Sequence, residues 1–543
     1  MNNNHPKGSR HDVIDAPPER GTPFAIGAAT VVCLNTQMPS PFSSSGSRDF
    51  PVMTKALVPW IVLGIFVAYV AASALPLPVG PGSGFDVTAF GRLPVQANGR
   101  VQPFDSVART SLLQIRGTVT APIDGFKAPQ ARPTMIDPTV WLLEVLAKPD
   151  TADTRRVFPI KNRELLGKLQ LQAASRGTNY YAFNDLVPKQ SEILQQVQQI
   201  ANVKASDRAP WQEELIALRE KLMLYERLKN SLAPNSRLQQ DAKGTPITFD
   251  FAGELARYQA DLAEALRVDA GRRSGSTERL DVAVEMRVRT FSRLFQFVSR
   301  TGVLAVVPRP DKTGSSTGWS NIGTVIVQSA LGHQPPVPVA FLAGMTSAFA
   351  QGKPHAFNSR MAEYRQWLAA NAPAPELRKA RVEALSNLLL PLVKAAVLYA
   401  VALALLGVAW RTRSAMVSRS ALLMVLLASA LHATGLLFAT MLVGKPSWIA
   451  VSGWAIGLAA LVVGRFWRRF NGTWASAAIG LTALVAAYVV VPGGAASLFR
   501  NVLETSFLVA IAATVIVLYV GRGSRTAKQP AMAPQPTLES PVA

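Results

Sequence analysis

The sequence predicts a mainly α-helical fold. We expect a polytopic membrane protein of about six spans, with a large, mostly helical extracytoplasmic domain inserted after the first span. Two observations carry this prediction. Hydrophobic residues make up 49% of the 543 residues, and many lie in apolar runs close to the roughly 20 residues that cross a bilayer. A long polar stretch, residues 78–385, separates the first run from the others, and its apolar residues recur with helical spacing.

The chain opens with residues 1–52, which are rich in Asn, Ser, Pro and Gly and show no sustained periodicity. This composition predicts a disordered N-terminal tail, and Met53 resembles a natural start. Residues 56–76 are an apolar run behind Lys55, which predicts a transmembrane anchor. A cleaved signal peptide is the alternative, because Ala-Ser-Ala at 72–74 resembles a cleavage site. The length of the run favours the anchor.

Turn and capping residues predict the boundaries of several elements within 78–385. Asn98-Gly99 between short apolar stretches predicts a β-hairpin, and Gly117 is expected to end the helix that follows it. Asp137 and Pro138 suit the start of a helix that ends near residue 148. Further predictions are helices at 248–268, at 280–301 and from 321 onward, a short strand at 304–307, and a loop at 311–320.

Residues 185–232 are predicted to form an antiparallel coiled-coil pair. Apolar residues alternate spacings of three and four along two helices, which places them in one narrow seam per helix. Such seams are either packing surfaces or docking surfaces for a partner. The seam residues are Leu186, Ile193, Val197 and Ile200 in the first helix and Trp211, Leu215, Leu218, Leu222, Tyr225 and Leu232 in the second.

Residues 388–520 are predicted to form a five-span bundle, followed by a disordered basic tail at 521–543. Basic residues mark the cytoplasmic side of a membrane protein. They concentrate after the first, third and fifth runs of the bundle, whereas the two opposite loops carry only Lys445 and Arg500. Both termini are therefore expected in the cytoplasm of a bacterium, with the 78–385 domain in the periplasm. The five runs are 388–410, 421–443, 448–463, 474–491 and 503–520.

Charge and cysteine content exclude several classes of function. The chain has a net charge of +22 but no Lys/Arg cluster interleaved with aromatic residues. Nucleic acid is therefore not an expected partner, whereas anionic lipid is. The single cysteine, Cys33, excludes an internal disulfide, a CxxC thiol pair, a CxxCH attachment site and a cysteine-based zinc site. No Walker A, GxSxG, HExxH or GxGxxG motif occurs.

His432 is the strongest candidate site residue, because it is the only histidine in any apolar run. An ionisable group near mid-membrane is costly and marks a functional site by default. Imidazole is a common axial ligand of haem iron, so His432 is a candidate metal ligand, and Lys445 and Arg500 are candidates to pair with haem propionates. The alternatives are a hydrogen bond from His432 to a neighbouring helix and interfacial anchoring by the two cations.

Three other residues are weaker candidates. Glu504 opens the last run at its outer end, where it would either satisfy helix N-terminal amides or relay protons. His333 and His355 lie in Pro/Gly-flanked loops. Two histidines alone do not make a metal site, because a zinc site takes at least three protein ligands.

Two stretches of the chain resemble one family. Residues 98–109, NGRVQPFDSVAR, are similar to a segment in the extracytoplasmic domains of CcsA-type (System II) cytochrome c biogenesis proteins, and residues 132–158 continue the likeness. HATGL at 432–436, followed by GKP at 444–446, resembles a span and turn of the same family. The resemblance implies a role in haem delivery during c-type cytochrome assembly.

The chain also departs from that family. WIAV at 448–451 replaces the family's Tyr-Glu-containing stretch after the turn, and the Trp-rich loop that presents haem is missing. By resemblance the chain is the front half of such a protein and would not complete haem ligation alone. The expected partners are a separate CcsA-like chain that carries the Trp-rich loop, and apocytochrome c. The second hypothesis is a membrane-anchored periplasmic scaffold that handles no haem. A transporter is the weakest reading, because internal repeats and broken helices are not evident.

Overall fold

A computed structural model describes residues 52–72, 84–123, 134–172, 179–234, 249–308, 318–331, 334–443, 448–466 and 471–489. These residues are mainly helical, as predicted, and their strands form short antiparallel pairs. The predicted disordered stretches at the two ends of the chain lie outside the described residues, except for Val52, which begins the first helix. The predicted last span at 503–520 also lies outside them.

The helices fall into a long polar part of the chain and an apolar C-terminal part, with one apolar helix in front. They are α1 (Val52–Ala72), α2 (Val87–Gly91), α3 (Phe104–Arg116), α4 (Pro138–Ala147), α5 (Pro149–Ala152), α6 (Arg163–Lys168), α7 (Phe183–Leu186), α8 (Gln190–Ile200), α9 (Pro210–Lys229), α10 (Phe251–Arg273), α11 (Val282–Thr301), α12 (Ile322–Ser329), α13 (Val337–Ala350), α14 (Pro354–Asn371), α15 (Ala374–Leu389), α16 (Pro391–Thr412), α17 (Ala415–Val443), α18 (Trp448–Phe466) and α19 (Gly472–Val489).

The strands form four separate pairs, each made of two strands that are consecutive in the sequence. They are β1 (Pro94–Ala97) with β2 (Arg100–Pro103), β3 (Ala121–Pro122) with β4 (Met135–Ile136), β5 (Arg156–Ile160) with β6 (Asn179–Ala182), and β7 (Val307–Pro308) with β8 (Trp319–Ser320).

The predicted hairpin at Asn98-Gly99 is confirmed. β1 and β2 pair in register from Pro94 opposite Pro103 to Ala97 opposite Arg100. Asn98 and Gly99 have φ angles of 53° and 77°. Two consecutive positive φ angles are what a type I′ turn requires, and this turn matches the twist of the flanking strands.

The predicted ends of two helices are confirmed as well. Gly117 follows α3 with a φ of 83°, and its N–H donates to the carbonyl of Leu113. Glycine adopts this left-handed conformation without the steric penalty of a side chain. Asp137 caps α4, because its carboxylate accepts a hydrogen bond from the N–H of Thr139 at 2.8 Å.

The predicted strand at 304–307 is only partly formed. Ala305 makes an isolated bridge to Gln96, and Val307 begins β7. The predicted loop at 311–320 is wrong at its C-terminal end, because Ser320 pairs with Val307 in β8 and accepts a hydrogen bond from the N–H of Val306 at 3.0 Å. The partner strand is β7, whose paired residues lie 11 and 13 positions earlier in the chain, outside the predicted loop.

The seam of α9 is part of the main hydrophobic core. Leu218 and Leu222 are 1% and 4% exposed. α9 packs against α3, α4, α6 and β5 as well as against α8, the other helix of the predicted pair. The apolar seam of α9 is therefore a packing surface and not an exposed docking surface.

An ion pair is buried beside this core. The Nζ of Lys229 in α9 lies 2.8 Å from Oδ2 of Asp153, and both side chains are 1% exposed. The Tyr225 hydroxyl donates to the same carboxylate at 3.0 Å. The ammonium group also lies 4.6 Å from the centroid of the Phe183 ring. The pair ties α9 to the residue that follows α5.

α16, α17 and α19 form a second hydrophobic cluster, against which side chains of α1 and α18 also pack. Glycines allow close approach between these helices. A Cβ at Gly480 in α19 would lie 2.6 Å from Cζ of Tyr399 in α16, and a Cβ at Gly435 in α17 would collide with Leu392. Small residues at helix contacts are typical of helices that associate inside membranes.

Two described helices are long and apolar enough to cross a membrane, Ala374–Thr412 and Ala415–Leu442. The first comprises α15 and α16, which are separated only by Leu390. Of the shorter apolar helices, Pro59–Ala72, Val451–Gly464 and Thr473–Leu484 overlap three of the other predicted runs, whereas Pro138–Ala147 and Val337–Ala350 lie in the polar domain. Length and composition are the basis of this finding.

Candidate functional site

His432 lies on the buried face of α17. Ala421, Met424, Val425 and Ala428 precede it at helical spacing on the same face, and all four are 0% exposed. The His432 side chain is itself 0% exposed. Its ring meets the ring of Tyr399 from α16 edge-on, with centroids 6.2 Å apart and planes at 80°. α16 and α17 thus enclose the imidazole between them.

Neither imidazole nitrogen of His432 has a hydrogen-bond partner among the described residues. A neutral imidazole carries one N–H donor and one acceptor nitrogen. Leaving one such group buried and unpaired costs about 1–3 kcal/mol. The predicted alternative, a hydrogen bond to a neighbouring helix, therefore has no partner in the described part of the chain.

The polar groups near His432 along α17 are engaged elsewhere. The indole N–H of Trp454 in α18 donates to Oγ of Ser429 at 3.0 Å and to its carbonyl at 3.1 Å. The hydroxyl of Thr434 donates to the carbonyl of Ala430 at 2.9 Å. Within the described part of the chain, the acceptor nitrogen of His432 therefore keeps a lone pair that a metal ion or a proton donor could use.

The His432 imidazole is suited to bind a metal ion, but the close packing around it leaves little space for a porphyrin. An unpaired imidazole nitrogen is the chemistry that haem iron takes as an axial ligand. The imidazole is nevertheless fully covered, and the Tyr399 ring beside it is held closely against Gly480. Haem would therefore reach His432 only after α16 and α17 separate.

Lys394 is a polar group of the bundle that sequence reasoning missed. It lies in the first turn of α16, is 8% exposed, and its Nζ has no hydrogen-bond partner among the described residues. A lysine inside an apolar run is visible in the sequence. Its burial and the lack of a described partner depend on the packing of α16, which the sequence does not show.

The other predicted site residues are not brought to His432 by the described structure. Lys445, Arg500, Glu504 and His333 lie outside the described residues. His355 is exposed in the first turn of α14. Among the described residues, no group of three or more His, Cys, Asp or Glu side chains could hold a metal ion.

The segment NGRVQPFDSVAR at 98–109 contacts the helix that leads into the bundle. The guanidinium of Arg100 in β2 makes two hydrogen bonds, of 2.5 and 3.0 Å, to the carboxylate of Glu383 in α15. The amide of Asn387, one turn further along α15, donates to Asp105 at 3.1 Å and to Ser106 at 2.8 Å. These contacts, named here the α15 joint, attach the start of the polar domain to the last turns before α16.

Further hydrogen bonds to Asp105 stabilise the α15 joint, and α15 is followed by a residue with left-handed backbone geometry. Asp105 also accepts hydrogen bonds from Arg109 at 2.8 Å and from Thr139 at 3.3 Å. α15 ends at Leu389, and Leu390 has a φ of 45° before α16 begins at Pro391. A left-handed leucine is unfavourable, and Leu390 adopts this conformation although its side chain is 44% exposed.

Comparison of this chain with protein-family models, curated proteins and solved structures finds no match.

Proposed function

We propose that this chain is a membrane component of c-type cytochrome assembly, which helps to deliver haem outward and scaffolds a System II-like synthase complex. In this proposal α1, α16–α19 and a further span at 503–520 cross a bacterial inner membrane, both termini are cytoplasmic, and the domain of residues 78–385 is periplasmic. The chain acts as a subunit and not as a complete catalyst, since a separate CcsA-like chain would supply the Trp-rich loop and apocytochrome c would be the recipient.

The observation that carries the proposal is the unpaired imidazole of His432. It is fully buried, and neither nitrogen has a hydrogen-bond partner among the described residues. An intramembrane polar group of this kind is expected to serve a ligand or a pathway. His432 would hold haem iron from one side when the complex opens the contact between α16 and α17. Lys445 and Arg500 would meet the propionates at the outer face.

The α15 joint would connect the polar domain mechanically with the bundle that contains His432. It is formed by the segment that resembles the biogenesis family, and it grips the helix that continues into α16. A partner that binds the periplasmic domain would therefore act on the helix that covers His432. This supports a subunit whose bundle opens in response to assembly.

The function is tested by purifying the chain together with its CcsA-like partner and comparing the Soret absorbance of the wild type with that of His432→Ala. We expect His432→Ala to lose most of the haem per complex and to impair cytochrome c maturation in cells. His355→Ala is the matched control, because it removes an exposed imidazole outside the bundle. Equal haem content and normal maturation in His432→Ala would remove the haem role.

The second candidate function, a scaffold without haem handling, is favoured by the closed packing of the bundle. His432 is completely covered, and the close helix contacts at Gly435 and Gly480 leave little space around it. A scaffold would still form a complex with its partner through the periplasmic domain. It would carry no Soret band, with or without His432.

The proposed topology predicts a labelling pattern for single cysteines. In a Cys33→Ser background, Ser276→Cys lies in the exposed turn between α10 and α11, and Ser418→Cys is exposed in the first turn of α17. We expect a membrane-impermeant maleimide to label residue 276 in intact spheroplasts and to label residue 418 only after lysis. Labelling of residue 418 in intact spheroplasts would reverse the proposed orientation.

A further inference from the structure

A cleft of about 580 Å³ lies between the segment after α2, the helix α14 and the helix α15. Its apolar lining includes Leu93, Leu368 and Leu377, which are 2%, 2% and 9% exposed and belong to the domain core. Its volume lies within the range of about 300–1,000 Å³ that is typical of sites for small molecules. The cleft is therefore large enough to receive part of a ligand.

Three arginines line the cleft, one from each side: Arg92 after α2, Arg365 in α14 and Arg381 in α15. All three side chains are exposed, and none has an ion pair or hydrogen bond with a described residue. None of the described residues that line the cleft is acidic. The cleft thus combines apolar walls with positive charge that the described structure leaves unneutralised.

The nearest acidic residues along α14 and α15 are engaged with other groups. Glu363 pairs with Arg360 at 2.8 Å, and Glu383 pairs with Arg100 in the α15 joint. Glu376 accepts a hydrogen bond from the indole N–H of Trp319 at 2.6 Å. The arginines of the cleft are available to an anion that comes from outside the chain.

The cleft lies close to the entry of the chain into the bundle. Arg381 precedes the start of α16 by ten residues, which is roughly 15 Å of helix. Leu385, one turn nearer to α16, lines the same cleft and is 45% exposed. The head-group layer of a bilayer adds about 5–7 Å on each side of the hydrocarbon core. By this measure the arginines lie roughly 8–10 Å above the head-group layer and Leu385 lies between the two, so a lipid head group would have to rise out of the bilayer to reach the cleft, along an apolar edge.

We propose that this cleft binds the head group of an anionic phospholipid from the outer leaflet. The phosphate would sit among Arg92, Arg365 and Arg381, since guanidinium groups match phosphate oxygens in charge and in fork geometry. The first part of the acyl chains would pass over Leu385 toward the membrane. The proposal rests on the membrane placement proposed above but not on haem binding.

The test is native mass spectrometry of the full chain in detergent, titrated with phosphatidylglycerol or with phosphatidylcholine of the same acyl chains. We expect the wild type to bind phosphatidylglycerol more tightly. Replacing all three arginines by glutamine should weaken that binding by roughly 100-fold, from about 1 kcal/mol for each basic residue near the lipid charge. Arg279→Gln/Arg293→Gln/Arg300→Gln is the matched control, because it removes the same charge from exposed positions before and along α11.

A second variant tests the lipid independently of the arginines. Leu385→Glu places a carboxylate at the apolar edge and should also weaken phosphatidylglycerol binding, while the exposed position tolerates a charge. Competition by inorganic phosphate or haem separates the sources of the anion. We expect that neither inorganic phosphate nor haem, each added at the same concentration as the lipid, displaces phosphatidylglycerol.

Three results would overturn the lipid site. They are equal binding of the two lipids, an equal effect of the control variant, and displacement of the lipid by inorganic phosphate or haem. Each leaves the proposed function intact if the Soret band still depends on His432. Loss of that dependence with the lipid preference retained would remove the haem role alone.

Discussion

Replacing Lys229 with methionine is expected to lower the free energy of unfolding by about 3–5 kcal/mol. The change would remove the ammonium group that pairs with the Asp153 carboxylate, in a position that is 1% exposed. The Tyr225 hydroxyl would remain as a donor at 3.0 Å, but a hydroxyl does not neutralise a buried charge. Pulse proteolysis of the full chain in detergent, over a urea series, measures this loss.

The control for Lys229→Met is Arg273→Met in α10. Arg273 pairs with Asp269 at the surface, where the two side chains are 81% and 52% exposed, so its loss should cost less than about 1 kcal/mol. The double variant Lys229→Met/Asp153→Leu should be less destabilised than Lys229→Met alone, because no unpaired charge remains buried. Equal stability of Lys229→Met and Arg273→Met would show that the Asp153 carboxylate is solvated.

The variant Leu218→Asp is expected to destabilise the domain of residues 78–385 by more than about 5 kcal/mol. It removes a leucine that is 1% exposed and places a carboxylate between α9 and the elements packed on it. Because domains are stable by only about 5–15 kcal/mol, the variant should lose most of its protease resistance. Limited proteolysis of the full chain reports the loss.

Leu194→Asp on α8 is the matched control, because Leu194 is 45% exposed in the neighbouring helix. We expect it to change stability by no more than about 0.5 kcal/mol. If Leu218→Asp kept protease resistance but lost complex formation, the seam of α9 would be a docking surface after all.

Local sequence signals predicted the elements that depend on only a few residues. The Asn98-Gly99 turn, the glycine after α3 and the Asp137 cap of α4 are each determined by neighbours in the chain, and all three are confirmed. The mainly helical class followed from periodicity over longer windows in the same way. These features need no knowledge of what packs against them.

Long-range contacts could not be predicted in this way. Arg100 and Glu383 are 283 residues apart, and a single sequence contains nothing that assigns one to the other. The same holds for the three arginines that the fold gathers into one cleft from separate segments. The motif at 98–109 marked its residues as candidates for a role, but only the structure shows that they form hydrogen bonds with α15.

The position of His432 was predictable, whereas its isolation was not. The lone histidine of the apolar runs stands out in composition. The absence of a hydrogen-bond partner among the described residues depends on how Ser429 and Trp454 are paired across two helices. Lys394 is a similar case, since a lysine inside the run 388–410 is visible in the sequence, whereas its burial without a described hydrogen-bond partner is not.

The left-handed residue Leu390 allows α15 to act as a rigid arm that pivots where it joins α16. α15 has 16 residues, a rigid arm of about 24 Å. A pivot of about 5° at Leu390 would therefore displace the far end of the arm by about 2 Å. The α15 joint lies within two turns of the pivot, so the same rotation moves Glu383 by less than 1 Å, roughly, which its ion pair with Arg100 can follow. The same rotation would move Leu377, at one end of the cleft, by about 1.7 Å, whereas Leu385, at its other end, would move by only about 0.7 Å, no more than the joint.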